Sequence, residues 1–568
     1  MKTFYIYYLS FFILLPILSH SQVKSKLWYD GNARVMFKRD ALSGELKETD
    51  TVSTRSNGAG FTIADLGLHF TPISDIEIAA ELRIKNDFGG MWGAKSSVDL
   101  RNLSAKGVVN NTVSFSVGDI HLKQTPFTLH NFQQDLSEFE PSAFKFYRDY
   151  VDYENFYIGD FWRLQGVQAN FSYLSYSSIK QIDFDGFTAR VRGGEWLGKP
   201  ELLMVGASGI LRFTNNLNLG SHYVNSFEVM STSNGSVAYH NPVVNTQLSY
   251  SGVFNDVPYV VAIDGGWSNR GWDGDSLAPD INGVFANANI KTTKKNTNFK
   301  LTVRYVDTDF RSMGAQSRRL NFNSAPETYP YYGNTYQTRE VSMLDIVSDP
   351  SVYNQSLSTS LMQYNPMYNS TTPYGDATPN RMGMVLEMNN AQLVDFVTAE
   401  FKTQFFTEII GQGTTEKRLF NNTALLSTCA IDQLLNLNNE FQLEGAVRYE
   451  SVNRSGKEFE SVDFSSILLS GSLSYELIPN FKLLSGAKVF YASGNEFFTE
   501  RNEYDQINDY IAVDFDSKES IFIAGLQYDF KDDIYFTMQY NHFSILDNSS
   551  ENDEFSMGRL IFMFNINL

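Results

Sequence analysis

The sequence is poor in features that constrain a fold or a partner. Of its 568 residues only one, Cys429, is a cysteine, so the chain cannot form an internal disulfide. Its fold must therefore rest on hydrogen bonding and packing. Lysine and arginine total 45 against 64 aspartates and glutamates, which gives a formal net charge of −19. This deficit of positive charge predicts that no nucleic acid is a partner.

Long apolar runs are also missing, except at the N-terminus. An apolar run over residues 4–18 follows Lys2, and small residues precede Gln22. This order of charge, apolar core and small residues predicts a secretory signal peptide over residues 1–21. The alternative is a membrane anchor. It is disfavoured because the run is short for a spanning helix and contains Pro16.

Motifs for enzyme chemistry are absent from the sequence. It has no Gly-x-Ser-x-Gly nucleophile motif, no His-Glu-x-x-His zinc motif and no glycine-rich phosphate loop. We therefore expect no enzymatic activity, no cofactor and no metal site. Two weaker alternatives are a hydrolase based on His542 and Ser544, and a calcium site at Asp273, Asp275 and Asp280 that lacks a full ligand set.

Aromatic residues and period-two alternation are abundant instead. The chain carries 31 tyrosines and 45 phenylalanines. Near the C-terminus, Leu560, Phe562 and Phe564 share one face of a strand, and Asn565 lies on the other. In a membrane strand such alternation separates the lipid-facing side from the lumen-facing side. The same pattern recurs near 75–85, 182–192, 297–306, 439–450, 465–477, 480–491, 522–530 and 534–540.

The links between these segments alternate in length. If the C-terminus lies in the periplasm, the periplasmic links fall near 71–74, 107–110, 177–181, 214–216, 292–296, 478–479 and 531–532. The external links then fall near 38–58, 120–165, 226–242, 307–379, 492–518 and 545–555. Short turns on one side and long loops on the other are typical of a membrane barrel, whereas a soluble β-sandwich has no reason to show them.

Along nearly all of its mature length the chain resembles the porin-like outer-membrane barrels of Gram-negative cells. Its amphipathic C-terminal strand resembles the signal by which such barrels are recognised for assembly. The resemblance implies an all-β fold. This fold is a single transmembrane antiparallel up-and-down β-barrel of about 18–22 strands, with short periplasmic turns and long external loops. Residues 22–568 would form this barrel in the cell outer membrane, in contact with its lipid, and the longest loops would lie near 120–165 and 307–379.

The parity of the strands places several charges in the lumen. A charge facing lipid at the bilayer midplane costs about 2–4 kcal/mol, so these side chains should point inward. We expect a basic wall to oppose the acidic loop near 120–165 and to form a charged constriction. The alternative is that the charges only line a wet interior. The candidates are Arg83, Arg101, Arg190, Arg192 and Arg212 on the wall, and Asp135, Glu138 and Glu140 on the loop.

The second long loop, near 307–379, is rich in tyrosine and proline. Tyrosine rings offer apolar area with a hydroxyl group, which suits a saccharide platform or a protein-docking surface. The alternative is a lid that packs over the barrel mouth. The external binding candidates are Tyr329, Tyr331, Tyr332 and Tyr336.

Two functions fit this sequence. The first is a channel for passive or substrate-selective diffusion of small hydrophilic solutes, which would be its partners. The second is a loop-sealed structural or accessory barrel that serves as a subunit of a larger outer-membrane complex for secretion, assembly or adhesion. That reading requires an outer-membrane protein partner.

Overall fold

The computed structural model describes residues 26–567, apart from short gaps. The predicted signal peptide, residues 1–21, lies outside the described residues. The gaps are 45–55, 89–95, 134–135, 137, 176–177, 195–199, 230–236, 276–277, 325–330, 333–336, 339, 459, 503, 532–533 and 550–553.

Twenty-two strands form one sheet. Their bounds are β1 Lys26–Gly44, β2 Ser56–Ile73, β3 Ile76–Asp87, β4 Ser96–Val109, β5 Val113–Leu122, β6 Trp162–Leu174, β7 Gln181–Arg192, β8 Glu201–Arg212, β9 Leu217–Val229, β10 Ala238–Phe254, β11 Val257–Asp273, β12 Ile281–Lys294, β13 Thr297–Val306, β14 Arg381–Val394, β15 Val397–Thr407, β16 Leu419–Ala430, β17 Phe441–Arg454, β18 Val462–Ile478, β19 Phe481–Arg501, β20 Ile507–Lys531, β21 Ile534–Asp547 and β22 Glu554–Asn567.

The sheet closes on itself to form a barrel. Each strand pairs antiparallel with its neighbours in the chain, and β1 pairs antiparallel with β22. The closing register runs from Asn32 opposite Asn567 to Gly44 opposite Phe555. Closure satisfies the hydrogen-bonding groups of strands that would otherwise be edges. The predicted single up-and-down barrel is thereby confirmed, at the upper end of the expected strand count.

The two ends of the barrel differ in their links. The start of β1, the end of β22 and the short links lie at one end, where Asn255–Asp256 and Lys295–Asn296 each form a two-residue turn. All four of these residues have positive φ, as a tight antiparallel hairpin requires. The opposite end carries the two longest links, 123–161 and 307–380. The first end is therefore periplasmic and the second external.

Some predicted external loops are too long. The loop predicted over 38–58 is shortened because β1 continues to Gly44 and β2 begins at Ser56, and a second case is larger. The sequence predicted a loop over 492–518, but β19 continues to Arg501 and β20 begins at Ile507. In this extension, acidic residues such as Asp509 and Asp514 interrupt the apolar alternation. A ribbon that projects beyond the lipid needs no continuous apolar face, so its sequence carries a weaker strand signal.

The outer face of the barrel is apolar. Large exposed side chains on strands include Ile263, Leu301, Val303, Met384 and Leu469. An exposed apolar band of this kind around a closed barrel fits the hydrocarbon layer of a membrane and would be a liability in water. Together with the long links at one end, it identifies an outer-membrane barrel.

Helices are few and short among the described residues. None of them is long and apolar enough to cross a membrane. A two-residue strand pair, Tyr331–Tyr332 with Gln337–Thr338, lies in the link after β13. The helices are α1 Lys145–Glu154, α2 Met313–Gln316, α3 Met343–Ser348 and α4 Ile431–Leu435, with 3-10 turns at Ser142–Phe144, Pro350–Val352 and Gly375–Ala377.

Candidate functional site in the barrel lumen

Two external links turn back into the barrel. Segment A, residues 123–161, joins β5 to β6, and segment B, residues 307–380, joins β13 to β14. One buried hydrophobic cluster joins both segments to the inner wall. It includes Phe144 and Val151 of segment A, Leu344, Ile346 and Tyr368 of segment B, and the wall residues Phe464, Phe490, Ile521 and Phe543. The segments therefore fill much of the lumen.

Segment A carries α1 into the lumen. The helix buries Phe146, Tyr147 and Val151, and the spacing of Tyr147 and Val151 places them on one helical face. Its link to the wall is partly polar, because the amide of Asn541 on β21 donates a hydrogen bond to the Tyr147 hydroxyl. The segment thus combines an apolar contact face with polar anchors.

Two of the five predicted wall arginines hold the end of α1. Arg83 on β3 pairs with Asp65 on β2 at 2.7 Å and with Glu154 of α1 at 2.6 Å. Arg101 on β4 pairs with the same Asp65 at 2.7 Å, and its guanidinium lies 4.1 Å from the ring centroid of Tyr153. Both cations are therefore already engaged by carboxylates and an aromatic ring.

The two described loop acids face a different part of the wall. Glu138 pairs with Lys402 on β15 at 2.6 Å. Glu140 pairs with Lys488 on β19, and with Arg148 of α1 at 3.2 Å. Segment A thus extends from the arginines on β3 and β4 to lysines on β15 and β19. The third predicted acid, Asp135, lies outside the described residues.

The other three predicted arginines lie near the ends of their strands. Arg190 pairs with Glu201 at 2.7 Å and Arg192 with Glu228 at 2.6 Å, both near the external end. Arg212 lies at the periplasmic end and pairs with Asp183 at 3.0 Å. The five arginines therefore do not form one wall, because three lie near strand ends, where acids on β7, β8 and β9 pair with them, and two lie beside Asp65.

Segment B is anchored by buried carboxylates of the wall. Glu450 on β17 accepts hydrogen bonds from the backbone N–H of Thr371 at 2.7 Å and from its hydroxyl at 2.6 Å. Glu519 on β20 accepts from the backbone N–H of Met343 at 2.7 Å and from the Tyr368 hydroxyl at 2.5 Å. Both glutamates are fully buried. A buried carboxylate must be hydrogen-bonded to be tolerated, so these contacts determine where segment B sits.

The tip between β19 and β20 bends over the external mouth. Asp505 in this tip is buried and contacts Arg270 at the far side of the barrel on β11. It also contacts Arg311 of segment B at 3.0 Å and accepts a hydrogen bond from the Leu361 N–H at 3.2 Å. Burial acts to raise the pKa of Asp505, but Arg311, Arg501 and Arg270 together lower it below its ordinary value.

Cavities with polar and charged linings lie beside the infolded segments. A periplasmic-side cavity of about 520 Å³ is lined by residues that include Asp30, His69, Glu77, Glu81 and Tyr153. A central cavity of about 420 Å³ lies between segment A, segment B and strands β14–β17. Its lining includes His130, whose pKa is lowered by burial against the opposing effect of Asp160.

The alternatives based on catalysis and calcium gain no support from the geometry. His542 and Ser544 alternate with the buried Asn541 and Phe543, so they point away from the lumen. Asp273 lies 3.4 Å from His240. Within the described part of the chain, no three His, Cys, Asp or Glu side chains form a group that could hold a metal ion.

Some residues important to the arrangement were not singled out from sequence. Asp65, Glu519 and Asp505 each sit between groups that are far apart in the chain. Inward parity could have indicated Asp65 and Glu519, whereas Asp505 lies in a tip between strands and has no such signal. Tyr329 and Tyr336 lie outside the described residues, and for Tyr331 and Tyr332 only the backbone pairing is described.

No protein-family model matches the chain, and no curated protein matches it. Solved outer-membrane proteins align over nearly its whole length. OpdL of Pseudomonas aeruginosa is 10% identical, covers 96% of this chain and 99% of its own, and has a TM-score of 0.35. OccK2 (OpdF) of the same organism is 10% identical over 95% and 98%, with a TM-score of 0.34. The P pilus usher PapC translocation pore is 7% identical over 96% and 100%, with a TM-score of 0.36. Likeness at this level does not bear on function.

Proposed function

We propose that this porin-like outer-membrane barrel is a selective diffusion channel for small hydrophilic solutes, narrowed by segments A and B. The observation that carries the proposal is the presence of cavities with polar and charged linings beside the infolded segments. A barrel of this strand number is wide, because barrel diameter grows with the number of strands. Segments that fold inward reduce such an opening while leaving hydrated space along the wall.

Charge pairing in the lumen indicates how the channel would select. Arg83 and Arg101 are engaged by Asp65, and the loop acids Glu138 and Glu140 are engaged by lysines. Fixed charges that already neutralise one another create a weaker field for free ions than an unpaired ring does. Selection would therefore depend on size and hydrogen bonding more than on ionic charge.

A second candidate function is a sealed barrel that acts as a subunit of a larger outer-membrane assembly. The hydrophobic cluster shared by segment A, segment B and the wall favours it, since a packed plug resists opening. The contacts of Asp505 also favour a sealed barrel, because they hold the tip between β19 and β20 over the external mouth.

Single-channel recording in planar bilayers separates the two functions. We would compare the full chain with a variant in which residues 124–160 are replaced by a short glycine–serine link. The control shortens the link between β9 and β10 in the same way, and heat-modifiable migration on gels verifies that every variant is folded.

The channel proposal expects stable steps from the full chain, larger steps without segment A, and unchanged steps in the control. Silence from the full chain with steps only after removal of segment A would indicate the sealed barrel. Silence from both folded proteins would contradict the channel altogether.

A further inference from the structure

The central cavity is built from three parts of the molecule. Segment A contributes Phe132 and Tyr157, and segment B contributes Asn369 and Thr372. Strands β14–β17 contribute the rest of the wall. Its volume of about 420 Å³ lies in the range of about 300–1,000 Å³ that is common for small-ligand pockets. The full set of titratable lining residues is His130, Glu138, Tyr157, Asp160, Asp376, Glu387, Lys402 and Arg448.

Each carboxylate and each strong base of this lining is already paired. Glu138 lies 2.6 Å from Lys402, Asp376 lies 2.8 Å from Arg304, and Glu387 lies 3.0 Å from Lys300. Asp160 lies 3.2 Å from Lys123, and Arg448 lies 2.9 Å from Glu450. A charged ligand would have to compete with these partners, so the cavity is polar without offering a free charge to an ion.

Two side-chain amides form the rigid part of the wall. Gln404 on β15 and Asn422 on β16 are cross-strand partners in the sheet register. They are only 5% and 6% exposed, respectively, so neighbouring residues hold them in place. The Thr372 hydroxyl lies 3.4 Å from the Gln404 carbonyl oxygen and joins segment B to this pair. Planar amides provide both donors and acceptors, which matches the alternating donors and acceptors of adjacent hydroxyl groups.

Aromatic rings complete the lining on the side of segment A. Phe132 packs against His130 with their ring centroids 4.0 Å apart, and Tyr157 also lines the cavity, its hydroxyl donating a hydrogen bond to Asp160 at 3.2 Å. A ring offers a flat apolar surface, while the tyrosine hydroxyl adds a polar contact. A ligand that suits this cavity must present C–H groups to the rings and hydroxyl groups to the amides.

We propose that the central cavity binds a neutral saccharide of one or two rings. This inference deepens the proposed function and rests on it, because a solute that crosses the lumen would meet this cavity. The paired charges disfavour anions and cations, the amide pair favours hydroxyl groups, and the aromatic rings favour the apolar face of a sugar ring.

Equilibrium binding to the full chain tests the proposal without requiring conduction. We would titrate maltose into the folded protein in a detergent that contains no sugar headgroup, using calorimetry or saturation-transfer NMR. Gluconate and lysine serve as charged probes of similar or smaller size. We expect saturable binding of maltose and weaker binding of both charged probes.

Substitutions at the amide pair locate the binding. In Gln404→Leu and Asn422→Leu, we expect maltose affinity to fall about tenfold or more, since one lost hydrogen bond to a buried polar group is worth about that factor. The matched control is Gln539→Leu, an inward-facing glutamine on β21 whose side-chain nitrogen and oxygen have no hydrogen-bond partner. It lies outside the central cavity and should leave maltose affinity unchanged.

Three outcomes would overturn the proposal. They are no maltose binding by the folded chain, tighter binding of gluconate than of maltose, and equal affinity loss in the amide variants and in Gln539→Leu. The titration measures binding alone. If the chain binds maltose but does not conduct in bilayers, the channel function would be refuted and the saccharide site would still stand. If the chain conducts but does not bind maltose, only the saccharide site would be refuted.

Discussion

Segments A and B occupy the same lumen but are attached in different ways. Segment A shares in the hydrophobic cluster and in a buried ion pair at Lys488, but its ion pairs at Arg83 and Lys402 are partly exposed. Segment B gives backbone N–H groups to the buried carboxylates Glu450 and Glu519 and contributes much of the shared hydrophobic cluster. Side-chain pairs at partly exposed positions weaken with salt, whereas buried hydrogen bonds to backbone groups do not.

The comparison implies that the two segments contribute differently to the stability of the constriction. The anchors of segment B at Glu450 and Glu519 are buried, whereas segment A adds anchors at Arg83 and Lys402 that water and salt can reach. Variants at their anchors should therefore differ in size of effect and in salt dependence. We expect the effects to decrease in size from the anchors at Asp505 and Glu519 to those at Glu154 and Lys402.

Asp505→Asn should release the external tip from segment B. The substitution leaves Arg270 and Arg311 buried near a neutral side chain, and breaking a buried ion pair typically costs about 3–5 kcal/mol. We expect larger single-channel steps and faster protease cleavage of the tip. The exposed pair at Arg190 provides the control, since Arg190→Gln should change neither the step size nor the rate of cleavage. Unchanged cleavage in Asp505→Asn would show that the tip is held by other contacts.

The same anchor should respond to acid in a defined direction. Because the pKa of Asp505 is lowered in the folded protein, its contribution to stability is present above the ordinary aspartate value of 3.8. It is lost only as the pH falls through the lower, folded value. Single-channel steps should therefore keep their neutral-pH conductance down to about pH 4, because this anchor is still intact. Their conductance should increase at lower pH. An increase between pH 7 and 5 that Asp505→Asn abolishes would contradict the assignment.

Glu519→Ala should detach α3 from the wall. It leaves the Met343 N–H and the Tyr368 hydroxyl without their acceptor, and unsatisfied buried groups cost about 1–3 kcal/mol each. We expect a lower urea midpoint for protease resistance of segment B, with little dependence on salt. Ser517→Ala is the control, because the Ser517 hydroxyl is buried on the same strand without a hydrogen-bond partner. Equal shifts in both variants would contradict the assigned anchor.

The strands of the barrel wall were far more predictable from sequence than the paths of segments A and B inside the lumen. Alternation predicted the closed barrel of paired strands, because lipid on one side forces period two on every strand, and it placed Arg83 and Arg101 on the inner face. Their partners Asp65 and Glu154 could not be predicted together, since Glu154 reaches Arg83 only through the path of segment A. No local pattern encodes that path. The extension of β19 and β20 beyond the membrane was missed for a related reason, since no lipid imposes alternation there.

Glu154→Gln should loosen the end of α1 and leave segment B in place. Arg83 and Glu154 are 15% and 16% exposed, so their pair is intermediate between a surface and a buried one. A double-mutant cycle with Arg83→Met should give a coupling energy of about 1–2 kcal/mol, smaller than the Glu519 effect. Arg83→Met alone should cost more than Glu154→Gln, because Arg83 also pairs with Asp65. Additive effects of the two substitutions would show that the pair is not coupled.

The smallest effect is expected at the other end of segment A. Lys402 is 24% and Glu138 is 35% exposed, so water and salt screen their attraction, and we expect Lys402→Met to cost about 0.2–1 kcal/mol. The measurement is the conductance ratio of variant to full chain in 0.1 M and in 1 M salt. The Debye length falls from about 10 Å to about 3 Å over that range, so the ratio should approach unity at high salt. For Glu519→Ala the corresponding ratio should stay constant. If Lys402→Met kept its full effect in 1 M salt, segment A would be anchored as firmly as segment B, and the distinction between them would fail.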